Sequence, residues 1–555
     1  MNFIPTREQE QIFNFFKKSN ENGMIDAVAG SGKTSTIIKG IDYIPNNNSI
    51  LFCAFNKKIQ EEIKQKTKKY DNVFVRTTYS LGLKILKENY LSFKKQKVNT
   101  SKYFSILQGK LRTDSKGNYL NKLDLIDDFE NIKKIYYKEK DKEEQDLFYK
   151  TFYSNCFRLI DLLRYTLSYG KTVEVFKSLI DRYAIEIDTN NLKLVSLYFS
   201  IINELIIEGN SKAIKFGIFD FADMIFLPCE LKLVSNIKYD VVFIDECQDL
   251  SNAQLKIINK FKKKEGRIFA VGDPYQSIYG FAGASPESFN NIKNFFKPKM
   301  FKLTNCFRCS KSIVELAKKI RSDIETKNKD EGVVINIKYE ELLNYVKAND
   351  FILSRGNSDL FEVLFLLLTN NIKCNILGRQ EILAQLKKII PDKKFNDPKY
   401  YEELPLHLNK IYKSKEKKLG NDPGNYEKLA NIKDAIDILE ICFFNIESVL
   451  TLNALFKHIE QLMSSKNEDA VILSSIHRAK GLEAERVFII GYNKLPIEVE
   501  GMSQWQKYQE NCLKYVAITR AEKTLFLTTG IPEDNNNYFI ENNEISLSVS
   551  DEDIF

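Results

Sequence analysis

The 555-residue sequence predicts an α/β protein with two parallel-sheet domains, each interrupted by a mainly helical insertion. Two observations predict this fold class. Apolar strands that run into polar or acidic turns recur in two separate blocks of the chain, as they do in parallel sheets. Within each block, a long segment with helical spacing of its apolar residues separates the strands. The length agrees with this division, because about 150 residues per domain gives roughly four units.

The first block contains three segments in which an apolar strand leads into a polar loop. These segments are residues 24–36, 239–249 and 267–280. The intervening residues 89–210 have apolar spacing that suits helices and a surface dense in Lys, Glu and Asp. We therefore assign residues 1–88 and 211–290 to a first domain and residues 89–210 to a first insertion.

The second block repeats this arrangement. Its predicted strands are residues 350–355, 470–475, 486–491 and 524–529. Residues 380–468, which contain four prolines, separate the first two of these strands and form a second insertion. We assign residues 291–379 and 469–540 to the second domain. Residues 541–555 are acidic, and we expect this tail to be disordered.

Composition places the chain among ordinary soluble globular proteins. Hydrophobic residues make up 43% and charged residues 28%, and the mean hydropathy is -0.31. These values exclude the collagenous and disordered classes. The 82 Lys and Arg exceed the 74 Asp and Glu by 8 charges. This surplus is compatible with a nucleic-acid partner, but it is too small to predict one.

Cysteine and histidine usage indicates neither a disulfide framework nor a zinc site. The nine cysteines are scattered, which fits a reducing compartment. Only Cys306 and Cys309 are closely spaced, and the chain has three histidines, so we predict neither metal nor redox use of this pair. The N-terminus lacks a basic and apolar leader, and no apolar run approaches a membrane span. We expect a cytoplasmic protein without membrane contact, or a nuclear one in a eukaryotic host.

A phosphate-binding loop is predicted at residues 27–34, AVAGSGKT. It follows an apolar strand and precedes a helical segment, the context that such loops require. Backbone N–H groups and the helix N-terminus would surround the phosphates, Lys33 would neutralise them, and the Thr34 hydroxyl would bind Mg²⁺. The predicted nucleotide contacts in this segment are Ala29, Gly30, Ser31, Gly32, Lys33, Thr34 and Ser35.

An acidic pair ends a predicted buried strand. Asp245 and Glu246 follow the apolar run VVFI at the carboxyl edge of the sheet, where parallel sheets bind ligands. We predict that Asp245 holds Mg²⁺, directly or through water, and that Glu246 orients and deprotonates the attacking water. Alone, such a pair is often a solvated turn. Together with a phosphate-binding loop, it indicates an enzyme that hydrolyses a nucleoside triphosphate.

A third strand runs into a polar loop that contains Gln276 and, shortly afterwards, two aromatic residues. The Gln276 amide has donors for a γ-phosphate oxygen. Tyr279 and Phe281 offer faces on which unpaired bases stack with little sequence preference. Composition alone favours core packing for both aromatics, whereas their closeness to Gln276 favours base stacking.

Six motifs in this order resemble those of the UvrD/Rep-type superfamily 1 DNA helicases. They are AVAGSGKT, FIDECQDLSNAQ, VGDPYQSIYGFAGA, LTNCFRCS, SSIHRAKGLEAERVFI and YVAITRAEKTL. The segments CAFNKKIQEEIKQK and VRTTYSLG are most similar to the F-box DNA helicase branch of that family. The motifs extend from Thr6 to Thr524, so the resemblance covers nearly the whole chain, although the two insertions contribute little to it.

This resemblance implies that both domains are RecA-like motor domains with ATP in the cleft between them. The insertions would be the accessory domains conventionally called 1B and 2B. Arg308 and Arg520 match two arginines that the second motor domain directs at the γ-phosphate, a role that suits a permanently charged, forked guanidinium. The predicted catalytic residues are therefore Lys33, Asp245, Glu246, Gln276, Arg308 and Arg520.

Three further positions match nucleotide contacts of the family. Phe307 matches an aromatic residue that stacks on adenine, with core packing as the alternative. Glu483 matches a nucleotide-contacting glutamate. Gln9 matches an adenine-reading glutamine, but Thr6 and Gln9 also have the spacing of a helix capping box.

The resemblance also implies a path for single-stranded DNA. The matching positions are Phe55, Asn56, Thr78, Tyr79, Tyr279, Phe281 and His477. Three positions depart from the usual residues, since Tyr79 replaces His, Phe281 replaces Trp, and Ala282 occupies a frequent Arg position. A smaller stacking face and a lost cation affect DNA affinity and step coupling. His477 is alternatively a buried, hydrogen-bonded histidine.

Together these residues predict an ATP-dependent single-stranded DNA translocase and helicase that uses Mg²⁺. It would act on single-stranded and tailed duplex DNA, and the resemblance implies 3′-to-5′ movement. ATP binding and hydrolysis would close and open the cleft, and we expect a monomer in the absence of partners. The alternative is an ATP-gated DNA-binding or remodelling subunit of a repair or defence complex that does not unwind duplex DNA by itself. The small second insertion favours this alternative modestly.

Overall fold

Two six-stranded parallel sheets organise the protein in the computed structural model. Helices flank both sheets, and each insertion leaves its domain between two strands of the sheet. The described residues are 4–54, 56–94, 98–110, 126–136, 142–183, 185, 187–278, 288–390, 393–419, 426–446, 449–463, 468–499, 502 and 504–531. The predicted acidic tail at residues 541–555 lies outside them.

The strands found in the described residues all pair in parallel. They are β1 (Gly23–Ala27), β2 (Ile50–Ala54), β3 (Val73–Thr77), β4 (Tyr239–Ile244), β5 (Lys262–Gly272), β6 (Lys299–Leu303), β7 (Asn305–Cys306), β8 (Glu325–Thr326), β9 (Val333–Ile337), β10 (Phe351–Ser354), β11 (Cys374–Ile376), β12 (Val471–Ser475), β13 (Ala484–Ile489) and β14 (Ala521–Thr528). The first sheet has the order β3-β2-β4-β5-β1-β6, and the second has the order β11-β12-β10-β13-β14-β9. The predicted fold class is confirmed.

The helices of the described residues cover both sheets and build the insertions. They are α1 (Arg7–Lys18), α2 (Lys33–Gly40), α3 (Lys57–Lys66), α4 (Thr78–Asn89), α5 (Lys102–Lys110), α6 (Ile126–Tyr136), α7 (Lys142–Thr166), α8 (Val173–Arg182), α9 (Leu192–Phe216), α10 (Phe221–Glu230), α11 (Asn252–Lys260), α12 (Ser288–Phe296), α13 (Lys311–Lys318), α14 (Leu342–Tyr345), α15 (Ser358–Thr369), α16 (Arg379–Ile389), α17 (Pro398–Tyr401), α18 (Leu404–Leu419), α19 (Tyr426–Asn445), α20 (Leu452–Leu462) and α21 (Gln504–Ile518).

Two boundaries differ from those predicted. Strand β6 follows residue 290, the predicted end of the first domain, yet it pairs with β1 in the first sheet. Its sequence KMFKL is largely exposed, as expected of a strand at the edge of a sheet, and therefore lacks the apolar run that marks a central strand. Helix α9 continues past residue 210 and ends where Gly217 adopts a left-handed conformation.

The first insertion packs against helices of the first domain. Its apolar core includes side chains of α4 and α10, which lie on the first sheet. Buried ion pairs join the same elements: Lys102 pairs with Asp223, and Arg164 pairs with Asp220 (2.8 Å) and Asp223 (2.9 Å). Since Lys102, Arg164 and Asp223 are almost completely buried, these charges are compensated within the protein.

The second insertion shares one apolar core with the second sheet. That core contains Ile352 of β10, Leu473 of β12, Leu386 of α16, Leu439 of α19 and Ile459 of α20, all of them fully buried. The second insertion and the second domain are therefore packed as one unit.

No helix among the described residues is both long and apolar enough to cross a lipid bilayer. All nine cysteines are free thiols. Within the described part of the chain, His, Cys, Asp and Glu side chains form no cluster of three or more that could hold a metal ion.

Candidate nucleotide-binding site

The loop between β1 and α2 depends on two glycines in the left-handed conformation. Gly30 has a φ of +66 and Gly32 a φ of +76, values that residues with a Cβ atom rarely adopt. A Cβ atom at Gly30 would lie 2.7 Å from Cβ of Arg308, so the second domain approaches this loop closely. Gly32 begins α2 without a side-chain cap. The first N–H groups of the helix thus remain available to an anion.

Asp245 follows β4 and faces the first turn of α2. The Thr34 hydroxyl donates to Asp245 Oδ2 at 2.6 Å. Burial, and after it the neighbouring Glu246, raise the pKa of Asp245 to about 6. A hydroxyl and a buried carboxylate at hydrogen-bond distance are hard oxygen donors, which Mg²⁺ prefers. The residues predicted to hold Mg²⁺ are therefore of a suitable kind and lie side by side.

Glu246 projects from a backbone position with a φ of 49, which is uncommon for a residue with a side chain. Its carboxylate lies 3.7 Å from Lys33 Nζ, and Gln248 Nε2 donates to it at 2.6 Å. Burial opposes ionisation of Glu246, but Lys33 and Lys480 outweigh it, and the pKa lies below its ordinary value. The carboxylate is therefore ionised and able to act as a base.

Gln276 is buried and donates from Nε2 to Asp273 Oδ2 at 2.9 Å. Lys480, from the segment after β12, donates to the backbone oxygen of Gln276 and to Asp249 Oδ2, at 2.6 Å in each case. Sequence reasoning missed Lys480 as a site residue, although it lies within the motif SSIHRAKGLEAERVFI. Its role becomes visible only when the two domains are brought together.

Arg308 and Arg520 lie side by side on the second domain. Arg308 pairs with Glu483 and donates to the Thr519 carbonyl at 3.3 Å. Arg520 is buried and donates to the carbonyl oxygens of Val516 (3.0 Å) and Leu482 (3.1 Å). Burial, followed by the charge of Arg308, lowers the pKa of Arg520 to about 10, so it remains charged at neutral pH.

The outcome differs for the two residues predicted to contact the base. The capping box of α1 is present, because the Thr6 N–H donates to Gln9 Oε1 and the Gln9 N–H donates to Thr6 Oγ1. Gln9 Nε2 also donates to Thr36 Oγ1 at 2.9 Å, so adenine recognition by Gln9 stays a prediction. Phe307 is 47% exposed, which argues against the core-packing alternative and leaves its ring accessible for stacking.

The first and second domains meet directly at the phosphate-binding loop. Val28 and Ala29 belong to an apolar cluster that also contains Cys306 and Tyr515. The Ala29 N–H donates to the Tyr515 hydroxyl at 3.1 Å. The two domains are therefore in direct contact at this loop, with predicted catalytic residues on both sides.

Comparison with known proteins places this arrangement in a family. Residues 6–297, more than half of the chain, match the model of the UvrD/REP helicase N-terminal domain. The chain belongs to the UvrD/REP helicase family. The family resemblance inferred from the six motifs is thus confirmed. Of the three relatives described next, the first two match over nearly the whole chain.

The ATP-dependent DNA helicase Rep of Buchnera aphidicola subsp. Acyrthosiphon pisum is 24% identical to this helicase, over 93% of each chain. The ATP-dependent DNA helicase PcrA of Bacillus subtilis is 22% identical over 91% of this chain and 80% of its own. The F-box DNA helicase protein 1 of Schizosaccharomyces pombe is 28% identical over 53% of this chain and 34% of its own.

The predicted DNA contacts of this helicase are only partly described. Three of them lie outside the described residues: Phe55, Tyr279 and Phe281. Asn56 caps α3 by accepting from the Ile59 N–H at 2.9 Å. Thr78 is buried, and its hydroxyl accepts from Gln254 Nε2 at 3.0 Å. The Thr78 hydroxyl is thus bonded inside the first domain, and a DNA contact by Thr78 stays a prediction.

Tyr79 forms an edge-to-face pair with Phe221 of α10, with ring centroids 6.2 Å apart. Phe221 is 51% exposed, which makes it an aromatic surface that sequence reasoning did not select. Its position before the apolar run of α10 resembles that of an ordinary core residue. Only its exposure beside Tyr79 distinguishes it.

His477 lines a cavity of about 620 Å³ at the carboxyl ends of β10 and β12. Arg355, Asn357, Asp434 and Arg478 also line this cavity. Burial, followed by the charges of Arg355 and Arg478, lowers the pKa of His477 to about 3. The imidazole is therefore neutral at physiological pH, so a DNA contact at this position would be a hydrogen bond or a stacking contact that adds no positive charge.

Proposed function

We propose that this helicase is an ATP-dependent translocase that moves 3′ to 5′ along single-stranded DNA and separates duplex DNA. The strongest support is that Arg308 and Arg520, both from the second domain, face the Lys33 loop and the Glu246 carboxylate of the first. A nucleotide between them would interact with both domains, so its binding and hydrolysis would change the cleft. The relatives Rep and PcrA are named ATP-dependent DNA helicases, which supports ATP and DNA as substrates.

In the proposed reaction, the first domain binds the phosphates and activates water. Lys33 and the N–H groups at the start of α2 would bind the phosphate oxygens. Thr34 and Asp245 would hold Mg²⁺, which supplies positive charge to the phosphates when bound. Glu246 would orient the attacking water and accept its proton. Gln276 would exchange its bond to Asp273 for one to a γ-phosphate oxygen.

The second domain would complete the site. Arg308 is bonded to Glu483 and to a backbone oxygen, and a γ-phosphate would compete with these acceptors for its guanidinium. Arg520 is held by backbone oxygens and would provide a fixed second charge. Arginines supplied in this way contribute about 10³ to 10⁵ to the rate of phosphoryl transfer in related systems.

Lys480 would connect the nucleotide site to a predicted DNA contact. It bonds to Asp249 and to the Gln276 backbone in the first domain, and it lies three residues after His477. Movement of the Gln276 loop during hydrolysis would therefore reach the segment that carries His477. Tyr79, Tyr279 and Phe281 would supply stacking surfaces for successive bases.

The primary test compares single-strand-stimulated ATP hydrolysis by the wild-type protein and Lys33→Ala. Lys17→Ala, which removes an exposed lysine from α1, is the matched control. We expect strong stimulation by oligo-dT in the wild type and the control, and near-complete loss in Lys33→Ala. Hydrolysis that ignores DNA, or that survives in Lys33→Ala, would contradict the proposal.

Direction is tested on duplexes with either a 3′ or a 5′ single-stranded tail. Preferential unwinding of the 3′-tailed duplex is expected. The second candidate, an ATP-gated remodelling subunit, draws some support from the short second insertion that is packed into the second domain. ATP hydrolysis and displacement of a DNA-bound protein without strand separation on either duplex would favour that candidate.

A further inference from the structure

Arg321 is a completely buried arginine at the junction of the two domains. It follows α13, a helix that packs against β9, β14 and α21 of the second domain. Its guanidinium, however, bonds to the first domain. Nη2 lies 2.7 Å from Asp26 Oδ1, and Nη1 lies 2.5 Å from Asp273 Oδ1. A charge from one domain thus occupies a buried carboxylate pocket of the other.

The two carboxylates that bind Arg321 lie at the carboxyl ends of two strands of the first sheet. Asp26 lies in β1, directly before the phosphate-binding loop, and Asp273 directly follows β5. Arg321 Nε also donates to Asp323 Oδ1 of the second domain at 3.0 Å, and the guanidinium lies 5.1 Å from the ring centroid of Tyr275 in the first domain. All three nitrogen donors of the fork are used. A lysine would provide a single point charge and could not reproduce this geometry.

Asp273 connects Arg321 to the predicted catalytic residues through hydrogen bonds. One carboxylate oxygen binds Arg321, and the other accepts from Gln276 Nε2 at 2.9 Å. The Asp273 N–H donates to Gln248 Oε1 at 3.1 Å, and Gln248 Nε2 donates to Glu246 at 2.6 Å. A continuous series of hydrogen bonds therefore runs from Arg321 to both Gln276 and Glu246.

We propose that Arg321 is a positioning residue through which the second domain sets the orientation of Gln276 and Glu246. By holding Asp273 and Asp26 together, it fixes the end of β5 relative to the start of the phosphate-binding loop. Movement of the second domain then changes the position of Asp273, and with it the two side chains that would contact the γ-phosphate and the attacking water. This inference rests on the proposed function, because it assigns ATP hydrolysis to those two side chains.

A purely structural role is the competing explanation, since removing any buried arginine that binds two carboxylates destabilises a protein. The chain offers a matched control in Arg164 of the first insertion, which is equally buried and binds Asp220 and Asp223 at the start of α10 in the first domain. Arg164→Lys should impair folding stability comparably with Arg321→Lys. It removes no contact with Asp273 or Gln276.

The experiment is a double-mutant cycle on kcat for ATP hydrolysis at saturating oligo-dT. We expect Arg321→Lys to lower kcat by about 10- to 100-fold, because misplacement of a catalytic group by about 1 Å has effects of this size. In the Gln276→Ala background, the same substitution should lower kcat by a smaller factor than in the wild type, because the contribution through Gln276 is already lost and only the connection through Gln248 to Glu246 remains. Arg164→Lys should change kcat by less than about twofold in either background.

The opposite results are equally clear. The proposal would be overturned if kcat of the double variant fell by the full product of the factors measured for Arg321→Lys and Gln276→Ala. Wild-type kcat in Arg321→Lys would also overturn it. If Arg321→Lys does not fold, Asp26→Asn is used in the same cycle; it leaves the Arg321 to Asp273 bond intact, and Asp26 is partly exposed. Loss of kcat in Asp26→Asn that is smaller in the Gln276→Ala background supports the proposal, and additive loss contradicts it. Failure of the proposed function is seen separately, as absent DNA-stimulated hydrolysis in the wild-type protein.

Discussion

The two sheets have the same parallel architecture but present different chemistry at their carboxyl ends. The first sheet ends in the glycine loop before Lys33 and in the carboxylates of Asp245 and Glu246. The second ends in Arg355 and His477, which line a cavity of about 620 Å³. Two sheets of the same architecture thus differ in the residues at their strand ends and not in the strands themselves, and such residues determine what a fold can bind.

The largest expected effect concerns the dependence of the first sheet on the second. Arg308→Ala should lower kcat for ATP hydrolysis by about 10³-fold or more, since the γ-phosphate would lose a charge supplied from the opposite domain. Steady-state hydrolysis at saturating oligo-dT measures this. Arg379→Ala, which removes an arginine from an exposed pair with Glu460, is the control and should be near wild type. Equal activity of both variants would mean that the first sheet hydrolyses ATP alone.

The next effect tests whether the first sheet supplies the base. Glu246→Gln should lower the hydrolysis rate by about 10² to 10⁴ while nucleotide binding persists, because an amide cannot accept the water proton. Single-turnover hydrolysis and equilibrium binding of a fluorescent ATP analogue separate the two quantities. Glu10→Gln, at an exposed position of α1, serves as the reference. Loss of binding with unchanged turnover would assign Glu246 to substrate binding.

A smaller effect is expected at the second sheet. Asp434 of α19 accepts from the Ser358 N–H at 2.6 Å and from Asn357 Nδ2 at 3.0 Å, so it holds the loop after β10 in place. Asp434→Ala should weaken oligo-dT binding by about tenfold, the size of a lost hydrogen bond to a charged group, without changing kcat at saturating DNA. Fluorescence anisotropy measures the affinity, with Glu460→Gln as the control. An altered kcat would remove the distinction between the two sheets.

The smallest effect concerns the neutral His477. His477→Gln should leave the salt dependence of DNA affinity unchanged, because no charge is lost, whereas loss of a phosphate-binding cation would reduce the salt slope by about 1. Titration of affinity against salt concentration tests this. A changed slope would show that the imidazole is charged when DNA is bound.

The same histidine affects folding stability in a defined direction. Its pKa is about 3 in the folded protein, whereas an unfolded chain has the ordinary value of about 6.5. Between these values the unfolded state binds more protons, so this group makes the protein less stable as pH falls from about 6.5 toward 3. Urea unfolding of the wild type and His477→Gln at pH 7 and pH 5 should show a smaller pH dependence in the variant.

The sequence revealed those parts of the site that depend on local pattern. Lys33, Asp245 and Gln276 each follow an apolar strand, and a polar residue at such a strand end is visible without a structure. Strand β6 was not predicted, because lysines break up its apolar pattern. Gln9 could not be assigned from sequence, since one spacing fits both a capping box and a ligand contact.

The contacts between the domains were beyond sequence reasoning. Lys480 meets Asp249 across 231 positions of the chain, and Arg321 meets Asp26 across 295. No spacing rule connects such residues, because their proximity depends on how two separately folded sheets pack. Phe221 was missed for another reason: its exposure depends on where α10 begins, which composition does not reveal.

The apolar core that joins the second insertion to the second sheet has a mechanical consequence. Each buried methylene group stabilises the contact by about 0.8 kcal/mol, and helices α16, α19 and α20 all contribute side chains to that core. Swivelling the insertion away from the sheet would expose this entire surface to water. We therefore expect the insertion and the sheet to move together as one body, with α19 keeping its position relative to β10 and β12.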